Sequence, residues 1–288
     1  MAKKNNWLLY ALITMVTWGI WGAFSDQVEG CPATITYVVW ALSMIPCALV
    51  ALANIKFKLD IRGKSALLSM GVGLLGAAGQ LVLFEALKYG PAYLVYPMIA
   101  VAPIITVILS TAFLKEKVSK LGVLGIVLAF VALVCFALSG KTDESANGYL
   151  WIILASVVFI CWGTQAFVMK LANNHTPDAE SVFVYMAISA VILIPVALGM
   201  TDKETLAALE FRGPSIMFFV QLLNAIGALT LVYANRYGKA MIVAPLGDAC
   251  APVITCIISL LLYQAIPSVS QIIGIVAAIS CVIILGRE

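Results

Sequence analysis

Apolar runs of about 20 residues alternate with short polar stretches along the chain, and an α-helix of that length crosses a hydrocarbon core of about 30 Å. The pattern predicts ten spans, at residues 7–25, 33–53, 65–87, 92–114, 120–138, 149–171, 180–199, 214–235, 240–262 and 268–286. Helices are expected because backbone groups find no water in lipid, and these runs exceed the roughly 9–11 residues of a barrel strand. The first span follows Lys3 and Lys4 as a signal peptide would. No small-x-small cleavage site precedes the loop from Asp26 to Pro32, so the span reads as a retained helix.

Composition agrees: 63% of the 288 residues are hydrophobic and 11% charged, against about 45–50% and 25% in soluble domains. The placement of charge then gives orientation. With the N-terminus in the cytoplasm, that side carries Lys3, Lys4, Lys56, Lys58, Arg62, Lys64, Lys115, Lys117, Lys120, Lys170, Arg236, Lys239 and Arg287, whereas the outer side has Lys88, Lys141, Lys203 and Arg212. Such a bias predicts both termini on the cytoplasmic side of the cell's inner membrane. The net charge of +3 is thereby a topology signal. Basic residues do not interleave with aromatics as a nucleic-acid partner would need.

The chain also repeats. Gly79, Ala86, Tyr89-Gly90, Ala92, Val95 and Pro97 reappear as Gly227, Ala234, Tyr237-Gly238, Ala240, Val243 and Pro245. One inserted residue later, Ala102-Pro103, Thr106, Ser110, Gly125 and Ala129 reappear as Ala251-Pro252, Thr255, Ser259, Gly274 and Ala278; upstream, Trp18-Gly19 meets Trp162-Gly163. The expectation is an all-α membrane protein of two five-helix units, residues 1–138 and 149–288, joined by a polar linker at 139–148. Five is odd, so the second unit enters the membrane from the opposite face. Inverted repeats of this kind can open alternately to either side around a midplane site.

Ten helices in two halves, Trp-Gly in the first and sixth spans, the run Ala86-Leu87-Lys88-Tyr89-Gly90-Pro91-Ala92 and Leu114-Lys115-Glu116-Lys117 before a Gly-rich fifth span together resemble the drug/metabolite transporter superfamily, EamA type. The resemblance covers nearly the whole chain. It implies a carrier of metabolites or drugs with a central cavity and peripheral fifth and tenth helices. The second half departs from it, with Ala265 where the first half has Glu116. Between Lys115 and Lys117, Glu116 reads as an anchor at the cytoplasmic interface.

Polar and small residues mark the faces that should turn inward. Ser69, Gly73, Gly76 and Gln80 share one face of the third span, and Gln221 and Asn224 replace Gly73 and Gly76 in the eighth. Amides facing lipid would lie unpaired, so this face is expected inside. Gly71, Gly73 and Gly76 spell a dinucleotide fingerprint, but inside a span they read as close helix packing. In the ninth span Asp248, Pro252, Thr255 and Ser259 share a face, matched in the fourth by Ile99, Pro103, Thr106 and Ser110. The prolines free carbonyls that only protein or cavity water can satisfy. A charge at Asp248 costs several kcal/mol at mid-membrane unless neutralised or paired, and such residues mark ion or solute paths. The alternative is a protonated Asp that helps helices pack.

The expected cavity residues are therefore Trp18, Trp21, Gln80, Tyr96, Thr106, Trp162, Gln165, Gln221, Asn224 and Thr255, with Asp248 as proton carrier or counter-ion. Glu85 is a candidate gate, against an ion pair with Lys88 three residues on. Aromatic rings beside polar groups suit an organic solute with an apolar body and polar or cationic ends. Trp7, Trp40 and Trp151 lie nearer helix ends, where an aromatic belt accounts for at least Trp7 and Trp151. Lys170 and His175 fall at or past a cytoplasmic helix end and read as snorkelling or solvated.

An enzyme would need a nucleophile with a base or a metal cluster. The only histidine is His175, and neither G-x-S-x-G nor H-E-x-x-H occurs. Six of the seven cysteines fall in spans and Cys31 has no loop partner, so neither disulfides nor zinc are expected. No cofactor is implied. The expected function is secondary active transport of a small neutral, zwitterionic or cationic metabolite across the bilayer, with proton coupling as an option, as a monomer or homodimer. The alternatives are a flippase for lipid-linked substrates and a membrane scaffold.

Overall fold

The computed structural model describes residues 6–25, 27–89, 95, 99, 102–137, 149–263 and 268–288. Its elements are α1 (Trp7–Ser25), α2 (Ala33–Asn54), α3 (Gly63–Tyr89), α4 (Pro103–Phe113), α5 (Lys120–Ala137), α6 (Leu150–His175), α7 (Ala179–Ile192), α8 (Ile194–Gly199), α9 (Lys203–Ala207), α10 (Arg212–Tyr237), α11 (Ala240–Tyr263) and α12 (Val269–Leu285). Among the described residues six helices, counting α7 with α8 as one, are long and apolar enough to cross a membrane; α4, α5, α11 and α12 contain shorter apolar segments.

The predicted spans recur with two differences. The start of the fourth predicted span lies largely outside the described residues. The seventh is broken at Leu193, because Pro195 in the first turn of α8 has no N–H to continue the ladder. Pro46, by contrast, sits inside α2 without ending it. At some helix starts side chains cap the free amides: Asp178 accepts from Ser181 N at 2.7 Å, and Ser268 with Gln271 forms a capping box.

Contacts at the helix ends establish the inversion. Arg62 Nη2 and Ser65 Oγ, at the start of α3, both donate to His175 O at the end of α6 (3.1 and 3.3 Å). Lys239 Nζ donates to Lys117 O at 2.6 Å, and the Glu288 carboxylate accepts from Ser119. Trp7, which opens α1, lies within contact of Gly238, which ends α10. These groups define a basic face. On the opposite face Thr34 meets Thr201 at 2.6 Å, and Gly213 approaches the backbone of Glu29 and Gly30. So α1 begins on the face where its repeat partner α6 ends.

Among the described residues, beside two smaller apolar clusters, two large apolar cores hold the bundle. One joins α2, α3, α6, α7, α8 and α10 around Tyr37, Phe183 and Val182; the other joins α1, α5, α11 and α12 around Leu246, Ala129 and Cys281. Gly125 of α5 packs on Leu285 and Ile284 of α12, which pairs the fifth and tenth spans of the sequence. Many leucines, isoleucines and valines stay exposed, as expected of a lipid-facing surface.

Candidate functional site

The repeat produces two equivalent helix crossings. At one, Thr255 Oγ1 of α11 donates to Gly19 O of α1 at 2.9 Å; at the other, Thr106 Oγ1 of α4 donates to Gly163 O of α6 at 2.8 Å. Neither glycine has room for a side chain. A Cβ on Gly163 would stand 2.5 Å from Ala102 O and 2.6 Å from Ile105 Cβ, and one on Gly19 would meet the repeat-equivalent Ala251 O at 3.0 Å and Ile254 Cγ2 at 2.7 Å. Such close approach lets polar groups bond across helices where lipid offers no substitute. The tryptophans follow the same symmetry: Trp18 Nε1 donates to Asn224 O at 3.1 Å and Trp162 Nε1 to Gly76 O at 3.3 Å. Thr106 is buried, and both threonine hydroxyls are spent on interhelical carbonyls.

Next to these crossings the halves diverge. Trp21 Nε1 donates to Gln221 Oε1 at 3.1 Å, and Trp40 Nε1 donates to Asn224 Oδ1 at 2.9 Å. An indole N–H only donates, so each amide must present its oxygen to the ring and turn its NH2 elsewhere. Gln221 Nε2 reaches Met217 Sδ at 3.5 Å, a weak acceptor. In the first half the equivalent positions differ: Gln165, in the place of Trp21, sits against Gly76, and Gly73, in the place of Gln221, packs on Ser189 and Met186 of α7. The structure thus brings Trp18, Trp21, Gln221 and Asn224 together, and adds Trp40. Sequence position put Trp40 near a helix end, but it lies two turns inside α2, beside Tyr37 at 5.3 Å between rings. Its spacing from the start of α2 was the available signal.

Gln80 is half-buried in α3, and Tyr96 lies outside the described residues. Asp248 is half-buried in α11, about 12 Å along the helix from Ala240. It shares a helical face with Ala251 and Thr255, the residues that meet α1 at Gly19 and Gly22. Glu85 pairs with Lys88 at 2.8 Å, the ion-pair alternative to a gate. A groove of about 430 Å³ opens between α1 and α10, walled by Ile20, Phe24, Ile216 and Phe219 among others and by none of the expected site residues.

Two charged residues do more than the sequence indicated. Lys170 neither snorkels nor stays solvated: its Nζ donates to Asn235 O at 2.8 Å and to Gly238 O, closing the C-terminal end of α10. The reason is that α10 ends beside α6, offering unpaired carbonyls to a cation. Glu116 accepts from Ala240 N at 3.1 Å and Met241 N at 3.0 Å, so a first-half carboxylate caps the N-terminus of α11. The sequence leads only to the expectation of an anchor at the cytoplasmic interface, not of a cap on a helix of the second half.

The profile of the EamA-like transporter family matches residues 5–138 and again 148–287. Over 201 residues the chain is 25% identical to NIPA6 of Arabidopsis thaliana, a probable magnesium transporter; the match covers 65% of this chain and 61% of that protein. An uncharacterized protein of Methanocaldococcus jannaschii is 30% identical over 135 residues, 46% of this chain and 96% of its own length. A solved crystal structure superposes on 98% of this chain and 96% of its own with a TM-score of 0.76 at 14% identity, which speaks to the fold alone. With both halves matched and the inverted bundle in place, this multi-pass membrane protein belongs to the EamA-like transporter family.

Proposed function

We propose that the protein is a secondary carrier that moves a small organic solute, neutral, zwitterionic or cationic, across the cytoplasmic membrane by alternating access, with its basic face in the cytoplasm. The observation that carries this reading is the pair of amides, Gln221 and Asn224, oriented by indole donors beside repeat-symmetric helix crossings. Their NH2 groups suit a carbonyl or carboxylate on a solute, and Asp248 on α11 suits a proton or a cationic end. Span interiors offer no Lys or Arg for a phosphate dianion.

The likeness to a probable magnesium transporter favours a second reading, a divalent cation. Mg²⁺ takes octahedral oxygen sites built on carboxylates. Among the described residues no group of three His, Cys, Asp or Glu side chains comes together, so the organic solute is preferred. Purified protein in proteoliposomes tests both: metabolite and Mg²⁺ flux are measured with and without an imposed proton gradient. Asp248→Asn should keep solute exchange and lose gradient-driven accumulation; as a counter-ion, Asp248 would instead be needed for cationic solutes alone. Undiminished accumulation of every solute by the Asn variant would refute both roles. Lys58→Cys, in a cysteine-free background, should label only from the cytoplasmic side.

A further inference from the structure

The loop between α2 and α3 combines strain, charge and apolar exposure in a way the transport reading does not use. Lys56 and Phe57 both adopt positive φ, 54° and 57°, although neither is glycine. Side-chain-bearing residues rarely take this conformation, and two in succession need compensation. Local hydrogen bonds hold it: Lys56 N donates to Ala53 O at 2.9 Å, Phe57 N to Leu52 O at 2.8 Å and Lys58 N to Ile55 O at 3.0 Å. The result leaves Phe57 70% and Ile61 80% exposed.

The loop's acidic residue is turned away from that surface. Asp60 is buried, binds Arg62 through both carboxylate oxygens at 2.8 Å, and is fastened to α7 by Ser181 and by Tyr185, whose hydroxyl donates to Asp60 O at 3.1 Å. With Arg62 neutralised by Asp60, the outward charge is that of Lys56, Lys58 and Lys64, all exposed and without an ion pair among the described residues.

The repeat supplies an internal comparison. The corresponding connection on the opposite face, residues 199–212, also exposes apolar tips, Leu206 at 40% and Phe211 at 86%. It carries Asp202, Glu204 and Glu210 against Lys203 and Arg212. Equivalent connections thus share apolar tips and differ in the sign of charge.

We propose that the α2–α3 loop is a docking surface for anionic lipid headgroups of the leaflet it faces, with Phe57 and Ile61 seated in the interface and Lys56, Lys58 and Lys64 on the headgroup phosphates. Apolar tips anchor a loop at either interface, whereas the three lysines select the charge of the lipid. Each lysine close to an anionic surface strengthens association by about fivefold, an effect weakened by salt.

The test uses the full chain reconstituted in vesicles of phosphatidylcholine with and without phosphatidylglycerol. Native mass spectrometry counts the phosphatidylglycerol retained on gentle extraction. Substituting Lys56→Gln, Lys58→Gln and Lys64→Gln together should weaken retention by about a hundredfold. Lys203→Gln with Arg212→Gln on the opposite connection should leave it unchanged. Because the triple variant could misfold, a second measurement keeps the native lysines: an environment-sensitive fluorophore on Phe57→Cys, in a chain otherwise free of cysteine, should shift to the blue more in phosphatidylglycerol vesicles than in phosphatidylcholine alone. Soluble inorganic phosphate should not reproduce that shift. Equal retention by the triple variant, equal emission in the two lipids, or a shift driven by phosphate alone overturns the proposal.

Discussion

Gly163→Ala adds one methyl group where α6 crosses α4, and the structure gives its cost. The new Cβ would lie 2.5 Å from Ala102 O, a backbone atom that cannot swing aside, and 2.6 Å from Ile105 Cβ, where ordinary contact begins at 3.4 Å. The helices must therefore part by about 1 Å, an overpacking cost of about 1–3 kcal/mol. Separation also lengthens the bond from Thr106 to Gly163 O, now 2.8 Å, worth roughly 0.6–1.7 kcal/mol between membrane helices. Alanine's better helix propensity returns about 1 kcal/mol. The net is a loss of roughly 0.6–3.7 kcal/mol, or several degrees in the unfolding midpoint. Gly19→Ala at the equivalent crossing should behave alike. Gly71→Ala is the control: it also lies inside a long helix, but its nearest neighbour is Val168 Cγ1 at 3.9 Å, so it should be neutral or mildly stabilising. Thermal unfolding of the purified variants in one detergent makes the comparison. If Gly163→Ala unfolds at the same temperature as Gly71→Ala, the crossings are not close-packed clamps.

Other changes report on other contacts. Glu116→Ala should lower stability by about 1.5–3 kcal/mol by leaving Ala240 N and Met241 N without acceptors, while Glu116→Gln keeps one of them and loses less; equal unfolding midpoints for all three proteins would contradict the cap. Hydrogen bonding to Arg62 holds the Asp60 carboxyl down to about 2 from its usual 3.8, so the stabilisation is fully present above about pH 4 and is lost as pH falls through 2; Asp60→Asn should flatten an acid titration of loop protection measured by hydrogen exchange, and an unchanged titration would refute the assignment. Trp21→Phe removes the donor to Gln221 Oε1 and Trp40→Phe the donor to Asn224 Oδ1, which frees each amide to turn. Each should raise the KM for solute by roughly tenfold with little change in stability, the effect of about 1.4 kcal/mol in binding, and unaltered KM in both would remove the amides from the solute site.

The apolar runs made the spans legible because a lipid-crossing helix needs little beyond length and apolarity, and the repeat made the inversion legible because five is odd. Gln221 and Asn224 could be read as inward-facing since an amide has no place in lipid. Other features escaped because their causes lie far away in sequence. Glu116 stands between two lysines and reads as an interface anchor; only folding brings it to the amides of Ala240 and Met241. Lys170 finds its carbonyls 65 and 68 residues on. Trp40 reads from the sequence only as lying near a helix end, and nothing local announces Asn224 as its acceptor. The break at Leu193 comes beside Pro195, yet Pro46 leaves α2 continuous, so proline alone does not decide the matter.

The departures from symmetry are as informative as the symmetry. Thr106 and Thr255, Gly163 and Gly19, Trp162 and Trp18 make the same bonds in both halves, so the frame of the bundle is itself repeated. The groups beside that frame are not equivalent: α10 offers Gln221 and Asn224 where α3 offers Gly73 and Gly76, and α1 offers Trp21 where α6 offers Gln165. The small residues of α3 let it lie tight on α6 and α7, with Gly73 against Ser189 and Gly76 against Gln165. The polar residues of α10 instead take their partners from α1 and α2. A fully symmetric lining would bind a solute equally well in two opposed orientations. On the proposed transport reading, placing the oriented amides on one half removes that degeneracy while the crossings keep their symmetry.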